Sequence, residues 1–145
     1  MEGSRRVAGV DIGSNAIRFL AVELGADGAR STLAYGRAPV RLGSALRTGL
    51  IPDEAIAAAG EAFGSFRAAL DRLASEGRPV ERVRAVATSA VRESRNGGAV
   101  IEIGRRVAGF DIEVIGGDEE ARLVWRAVRE TVSLEGGAVL VDRGG

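Results

Sequence analysis

Residues 7–24, VAGVDIGSNAIRFLAVEL, constrain the fold more than any other segment of the chain. Two apolar runs of strand length are interrupted once, by a short polar segment of the kind that forms tight turns. We therefore predict strands over 7–12 and 16–24. An Asp-Gly pair at 27–28 is a strong hairpin signal and places a third strand near 30–37. The chain thus begins with an antiparallel β-meander.

Helical and strand patterns alternate after this meander. The resulting order, β-β-β-α-β-α-β-α-β, predicts an α/β fold with a mixed sheet and crossover helices. The predicted elements are a helix that opens at Pro52-Asp53-Glu54 and ends near Gly77, a strand over 83–87, a helix over about 98–108, a strand over 110–115, a helix over 116–132 and a last strand within 136–145.

Composition excludes several classes of function. With 145 residues, 46% hydrophobic and 28% charged, the chain has the size and make-up of one globular domain. It has no apolar run of the roughly 20 residues that a membrane helix needs. MEGSRR leads directly into a strand, so we expect no signal peptide and a cytoplasmic location. The net charge of zero gives no overall field to attract a nucleic-acid polymer, so any anion site must be local.

The missing residue types narrow the chemistry further. The sequence contains no Cys, His or Lys, so every basic side chain is Arg. A general base working near neutral pH would therefore be Asp or Glu. The planar, permanently charged guanidinium group suits phosphate oxygens, although Arg in place of Lys is also typical of a GC-rich genome.

The turn between the first two strands is a candidate phosphate site. Gly13 allows a ligand to approach the backbone, and turn amides together with Ser14 and Asn15 can donate to an anion. Asp11, at the end of the strand, could hold a divalent cation beside that phosphate. The alternative is an ordinary hairpin turn, in which all these residue types are common.

A second turn of the same kind closes the sequence. The apolar run VLV is followed by Asp142-Arg143-Gly144-Gly145. Two strands that each deliver Asp-x-Gly at their carboxyl ends could hold one metal-bound phosphate from both sides. This repetition strengthens the functional interpretation of both turns.

Two further groups of polar residues are candidates. Glu119 and Glu120 lie in the first turn of the 116–132 helix, where the helix dipole favours ionised carboxylates that could activate water. Thr88, Ser89 and Arg92 follow the buried 83–87 strand, at the end of a strand where α/β proteins bind ligands. The alternatives are favourable first-turn acids without catalytic function and a surface arginine. Arg18, inside the second strand, could face solvent or the same cleft.

Five segments together resemble the exopolyphosphatase and guanosine pentaphosphate phosphohydrolase (Ppx/GppA) family. They are GVDIGSNAIRFLAVE, RLGSALRTGLIPDEAI, VRAVATSAVRESRNG, IEVIGGDEEARLVW and VLVDRGG, in the family's order. The resemblance implies a ribonuclease H-like fold of the actin and hexokinase superfamily. It also implies that the chain is the first lobe of a two-lobed enzyme, with residues 1–133 forming that lobe and 134–145 beginning the second.

The resemblance implies Mg²⁺-assisted hydrolysis of a terminal phosphoanhydride in polyphosphate or guanosine pentaphosphate, and a homodimer in the full-length form. It gives the water-activating role to Glu120, with Glu119 second, and substrate binding to Arg92. Its phosphate-binding positions are Gly13, Ser14, Asn15, Thr88, Ser89, Gly144 and Gly145. Its metal-binding positions are Asp11 and Asp142. Arg143 departs from the family, which has an apolar residue there.

Two other functions remain open from the sequence. One is a non-catalytic module that binds polyphosphate or alarmone nucleotides. The other is a lobe of a sugar kinase-like ATPase, against which the segments EEAR and ATSAVRE argue.

Overall fold

The computed structural model describes residues 3–131. Its sheet and helices follow the predicted order over this range. The elements are β1 Arg5–Ile12, β2 Ile17–Leu24, β3 Arg30–Ala38, a 3-10 turn Leu42–Ser44, α1 Ala45–Thr48, α2 Asp53–Ser75, β4 Arg82–Ala87, α3 Ser89–Glu93, α4 Gly98–Ala108, β5 Ile112–Val114 and α5 Gly117–Thr131.

The described strands form one five-stranded sheet in the order β3-β2-β1-β4-β5. The pairs β1–β2 and β2–β3 are antiparallel, whereas β1–β4 and β4–β5 are parallel. The predicted meander and mixed sheet are therefore confirmed. Because β1, β4 and β5 run in the same direction, their carboxyl ends lie at one edge of the sheet.

One face of the sheet carries the hydrophobic core. Alternate residues of β1 and β2 point into it, and Phe19 of β2 stacks on Phe66 of α2 with ring centroids 5.1 Å apart. A second ring pair, Phe63 and Phe110, meets edge to face at 6.0 Å. A Cβ at Gly36 of β3 would overlap the Phe66 ring, so the packing at this position requires glycine. Helices α2 and α4 thus cover this face.

The opposite face of the sheet is more open. Asp11, Arg18, Leu20 and Tyr35 lie on it, and Leu123 of α5 lines the same cleft of about 410 Å³. Helix α5 therefore approaches the face that α2 and α4 leave uncovered. Val124 and Trp125 of α5 are half-buried, whereas Ala121 is exposed.

The structure differs from the predicted elements in two places. Ser89 begins the short helix α3 and does not belong to a simple turn. The segment before α2 forms a 3-10 turn and α1, neither of which is among the predicted elements, because buried Leu42 and Ala45 anchor it to the core. The last predicted strand lies outside the described residues.

No helix in the described part of the chain is long and apolar enough to cross a membrane.

Candidate functional site

Three strand ends and the segments that follow them meet at one edge of the sheet. The Thr88 N–H, after β4, donates to the Ile12 carbonyl of β1 at 3.3 Å, and the Ile115 N–H, after β5, donates to the Ala87 carbonyl at 3.0 Å. The hydroxyls of Ser14 and Ser89 are 3.2 Å apart. The structure thus brings the first predicted phosphate turn and the Thr88-Ser89 segment into direct contact.

The β1–β2 turn is held firmly from one side and open on the other. Its Gly13 N–H donates to the Ala16 carbonyl at 3.1 Å, and the Ser14 carbonyl accepts from the Gly43 N–H at 2.8 Å. The backbone N–H groups of Ser14 and Asn15 have no acceptor among residues 3–131. Adjacent N–H groups of this kind, beside exposed Asn15, are suitable donors to an anion.

Arg92 is fixed at the same edge. It lies on α3, and its backbone N–H donates to the Thr88 carbonyl at 3.0 Å. Its Nη1 donates to the Ile115 carbonyl at 2.7 Å, and its Nη2 lies 3.2 Å from a Glu93 carboxylate oxygen. The side chain remains 32% exposed. A guanidinium group held by one carbonyl and one carboxylate, and still partly open to solvent, retains donors for a phosphate.

The two glutamates at the start of α5 have different surroundings. Glu119 lies 3.7 Å from Arg84 of β4 and 3.4 Å from Arg122. Arg84 also lies 3.4 Å from Glu113 of β5, so these charges tie α5 to the sheet. Glu120 is half-buried, and its N–H donates to the Gly116 carbonyl at 3.0 Å. Glu119 is thus engaged with cations of the scaffold, and the water-activating role of Glu120 stays a prediction.

Asp11 stands on the open face, directly across from its β2 partner Arg18. The closest oxygen–nitrogen distance between them is 3.8 Å, and both side chains are about half exposed. Burial raises the pKa of Asp11, and the Arg18 guanidinium partly opposes this. A divalent cation beside Asp11 would remove that penalty on the charged form.

At this edge of the sheet, Asp11 is the carboxylate that could serve as a ligand to Mg²⁺. No cluster of three acidic, His or Cys side chains that could hold a metal occurs among the described residues. Mg²⁺ is commonly bound by one or two carboxylates together with waters and substrate phosphates. A single carboxylate beside the predicted phosphate turn meets that pattern.

The second predicted turn lies outside the described residues. This applies to Asp142, Gly144 and Gly145, whose approach to the first turn stays a prediction.

Sequence reasoning missed a group of arginines next to the first turn. Arg37, Arg41 and Arg47 line a cleft with Asn15. The available signal was the segment 28–52, which contains four arginines and no acidic residue in a chain of zero net charge.

Comparison with known proteins decides the family. The model of the Ppx/GppA phosphatase family matches residues 23–145. The chain belongs to this family. The expected ribonuclease H-like α/β fold is likewise confirmed by solved structures of Ppx/GppA proteins.

Several relatives illustrate the match. A guanosine-5'-triphosphate,3'-diphosphate pyrophosphatase of Aliivibrio fischeri is 31% identical over 95% of this chain. The Ppx/GppA enzyme of Aquifex aeolicus is 30% identical with a TM-score of 0.81, over 92% of this chain and 43% of that structure. An exopolyphosphatase from Cytophaga hutchinsonii is 32% identical with a TM-score of 0.78, over 87% and 39%. The chain spans 27% of the length of the Aliivibrio fischeri relative.

Proposed function

We propose that this chain is the N-terminal lobe of a phosphoanhydride hydrolase. The substrate would be guanosine pentaphosphate or inorganic polyphosphate. Membership of the Ppx/GppA phosphatase family supports this, together with relatives named as a pentaphosphate pyrophosphatase and an exopolyphosphatase. The structural observation that carries the proposal is the contact between the β1–β2 turn and the β4 end, through Ser14 and Ser89 at 3.2 Å.

The terminal phosphate of the substrate would bind at this contact. The N–H groups of Ser14 and Asn15 would donate to its oxygens, and Arg92 would offset its charge from the other side of the edge. Arg92 suits this role because the Ile115 carbonyl holds its guanidinium at 2.7 Å and limits its motion. Phosphoryl transfer depends chiefly on such positioning and charge neutralisation.

The reaction would be an in-line attack of water on the terminal phosphorus. The new bond joins the water oxygen to phosphorus, and the anhydride P–O bond breaks to release orthophosphate and the shortened chain. Glu120 would accept the proton of the attacking water, with Glu119 as the second choice. The absence of Cys, His and Lys agrees with a non-covalent route driven by a carboxylate.

Mg²⁺ would be held by Asp11 and, as the resemblance to the Ppx/GppA family implies, by Asp142. When bound, it would neutralise negative charge on the phosphate oxygens. Asp11 fits this role because it is an oxygen ligand beside the turn that would hold the phosphate.

The test is phosphate release by the full-length protein, measured separately with guanosine pentaphosphate and with polyphosphate, in Mg²⁺ and in EDTA. We expect release that depends on Mg²⁺ from at least one substrate. Tight binding of both compounds without release would instead support the non-catalytic binding module.

A further inference from the structure

The loop between β3 and α1 forms a basic cleft beside the β1–β2 turn. The cleft has a volume of about 620 Å³ and is lined by Asn15, Arg37, Pro39, Arg41, Gly43, Ser44 and Arg47. Three of the seven lining residues are arginines and none is acidic. Asn15 belongs both to this cleft and to the turn that would hold the terminal phosphate.

The charge of the cleft is not neutralised by the protein. Arg37, Arg41 and Arg47 are exposed, and none of them forms an ion pair or a side-chain hydrogen bond within residues 3–131. By contrast, Arg6 pairs with Glu23 at 2.8 Å and Arg84 with two glutamates. Three arginines collected around one concave surface without carboxylate partners create a local positive potential that attracts anions.

The backbone fixes this cleft to the turn. Arg41 has φ 51° and ψ 50°, a left-handed conformation that glycine adopts much more readily. Its N–H donates to the Asn15 carbonyl at 3.2 Å, while the Gly43 N–H donates to Ser14. An unfavourable conformation at a non-glycine residue is often retained at functional sites. Here it places an arginine where Gly would fit the backbone better.

We propose that the basic cleft binds the inner phosphates of an oligophosphate chain whose terminal phosphate lies at the Gly13–Asn15 turn. This inference rests on the proposed function. Arg41 and Arg47 would form charge-assisted hydrogen bonds to phosphate oxygens beyond the scissile bond. The cleft would therefore favour substrates with several consecutive phosphates over orthophosphate.

The experiment is isothermal titration of the 145-residue chain with tripolyphosphate and with orthophosphate at low ionic strength. We expect tripolyphosphate to bind more tightly. Arg41→Gly and Arg47→Gln should each weaken tripolyphosphate binding by about three- to tenfold and leave orthophosphate binding within twofold. Arg106→Gln removes the same charge from the end of α4, outside the cleft, and should change neither affinity.

Arg41→Gly separates binding from folding, because glycine adopts the backbone conformation at position 41 without strain. Its thermal stability should therefore equal or exceed that of the wild type while its affinity falls. Equal tripolyphosphate affinities for wild type, Arg41→Gly and Arg47→Gln would overturn the proposal, as would an equal loss in Arg106→Gln.

A second arm identifies the source of the oligophosphate. The same titrations with guanosine pentaphosphate show whether the cleft serves a nucleotide, a linear polyphosphate or both, and a loss with either probe supports the cleft. If the full-length variants Arg41→Gly and Arg47→Gln hydrolyse substrate normally, the binding role of the cleft is contradicted but the proposed function is not. If these variants lose binding but the full-length protein releases no phosphate from any substrate, the proposed hydrolase activity is contradicted and the cleft is not.

Discussion

At the scale of single residues, Arg92 is the side chain whose role the structure makes most open to test. In the full-length protein, Arg92→Ala should raise KM for the polyphosphorylated substrate about tenfold or more, because a charge-assisted contact to phosphate is lost. Arg105→Ala, on the exposed side of α4, is the matched control and should leave KM unchanged. An unaltered KM in Arg92→Ala would assign this arginine to the surface and not to the site.

Asp11 gives a prediction about stability and pH. Burial raises the pKa of this carboxyl in the folded chain, so the folded state binds the proton more tightly than the unfolded state. Stability therefore falls as the pH rises through the unfolded pKa towards the folded one, and at neutral pH the ionised carboxylate destabilises the fold.

In EDTA at pH 7, Asp11→Asn should therefore raise the Tm, and the gain should vanish below about pH 3, where the carboxyl is largely protonated in both states. Asp111→Asn, at an exposed position before β5, should leave the Tm nearly unchanged. A gain for Asp11→Asn that persists at acid pH would show that the effect does not come from ionisation.

The sequence predicted which residues are candidates but not how they pair. The glutamates 119 and 120 are equivalent by pattern, since both follow the Gly-Gly-Asp start of a helix. Only the fold places Arg84 of β4 beside Glu119, 35 positions along the chain. The arginine cleft was missed for a related reason: its residues belong to a loop whose shape is set by hydrogen bonds to Ser14 and Asn15, and no periodicity reports such contacts.

At the scale of elements, the junction between α3 and α4 is closely packed. A Cβ on Gly97 would overlap the backbone carbonyl oxygen of Val91, whereas a Cβ on Gly98 would meet nothing within 4 Å. Gly97→Ala should therefore destabilise the chain by about 2 kcal/mol or more. Gly98→Ala should stabilise it by about 0.5 kcal/mol, because alanine loses less conformational freedom in a helix.

Urea denaturation of the two neighbouring variants measures this difference, and each serves as the control of the other. If Gly97→Ala is as stable as Gly98→Ala, the close packing of α3 against α4 is incorrect.

Long elements were predictable from the sequence and short ones were not. The period of α2 and the apolar runs of β1 and β2 extend over enough residues to give a clear pattern. Helices α1 and α3 have four and five residues. They are stabilised by tertiary burial of side chains such as Ala45 and Val91, so local sequence does not reveal them.

At the scale of the whole molecule, the site follows from topology. The parallel arrangement of β1, β4 and β5 collects the segments after three strands at one edge, although they are widely separated in sequence. This gathering could be predicted, because crossover connections between strands and helices favour parallel pairing. The part of the sheet that α5 approaches could not be predicted, because its position depends on a few long-range contacts, such as the ion pair between Arg84 and Glu119.

The most direct test of the account replaces Glu120 with glutamine in the full-length protein. Glu120→Gln should lower kcat for phosphate release about a hundredfold or more while substrate binding stays within threefold, because glutamine keeps the shape but cannot accept a proton. Glu102→Gln, an exposed position on α4, should retain full turnover. Undiminished turnover in Glu120→Gln would contradict the claim that the start of α5 activates water at this edge of the sheet.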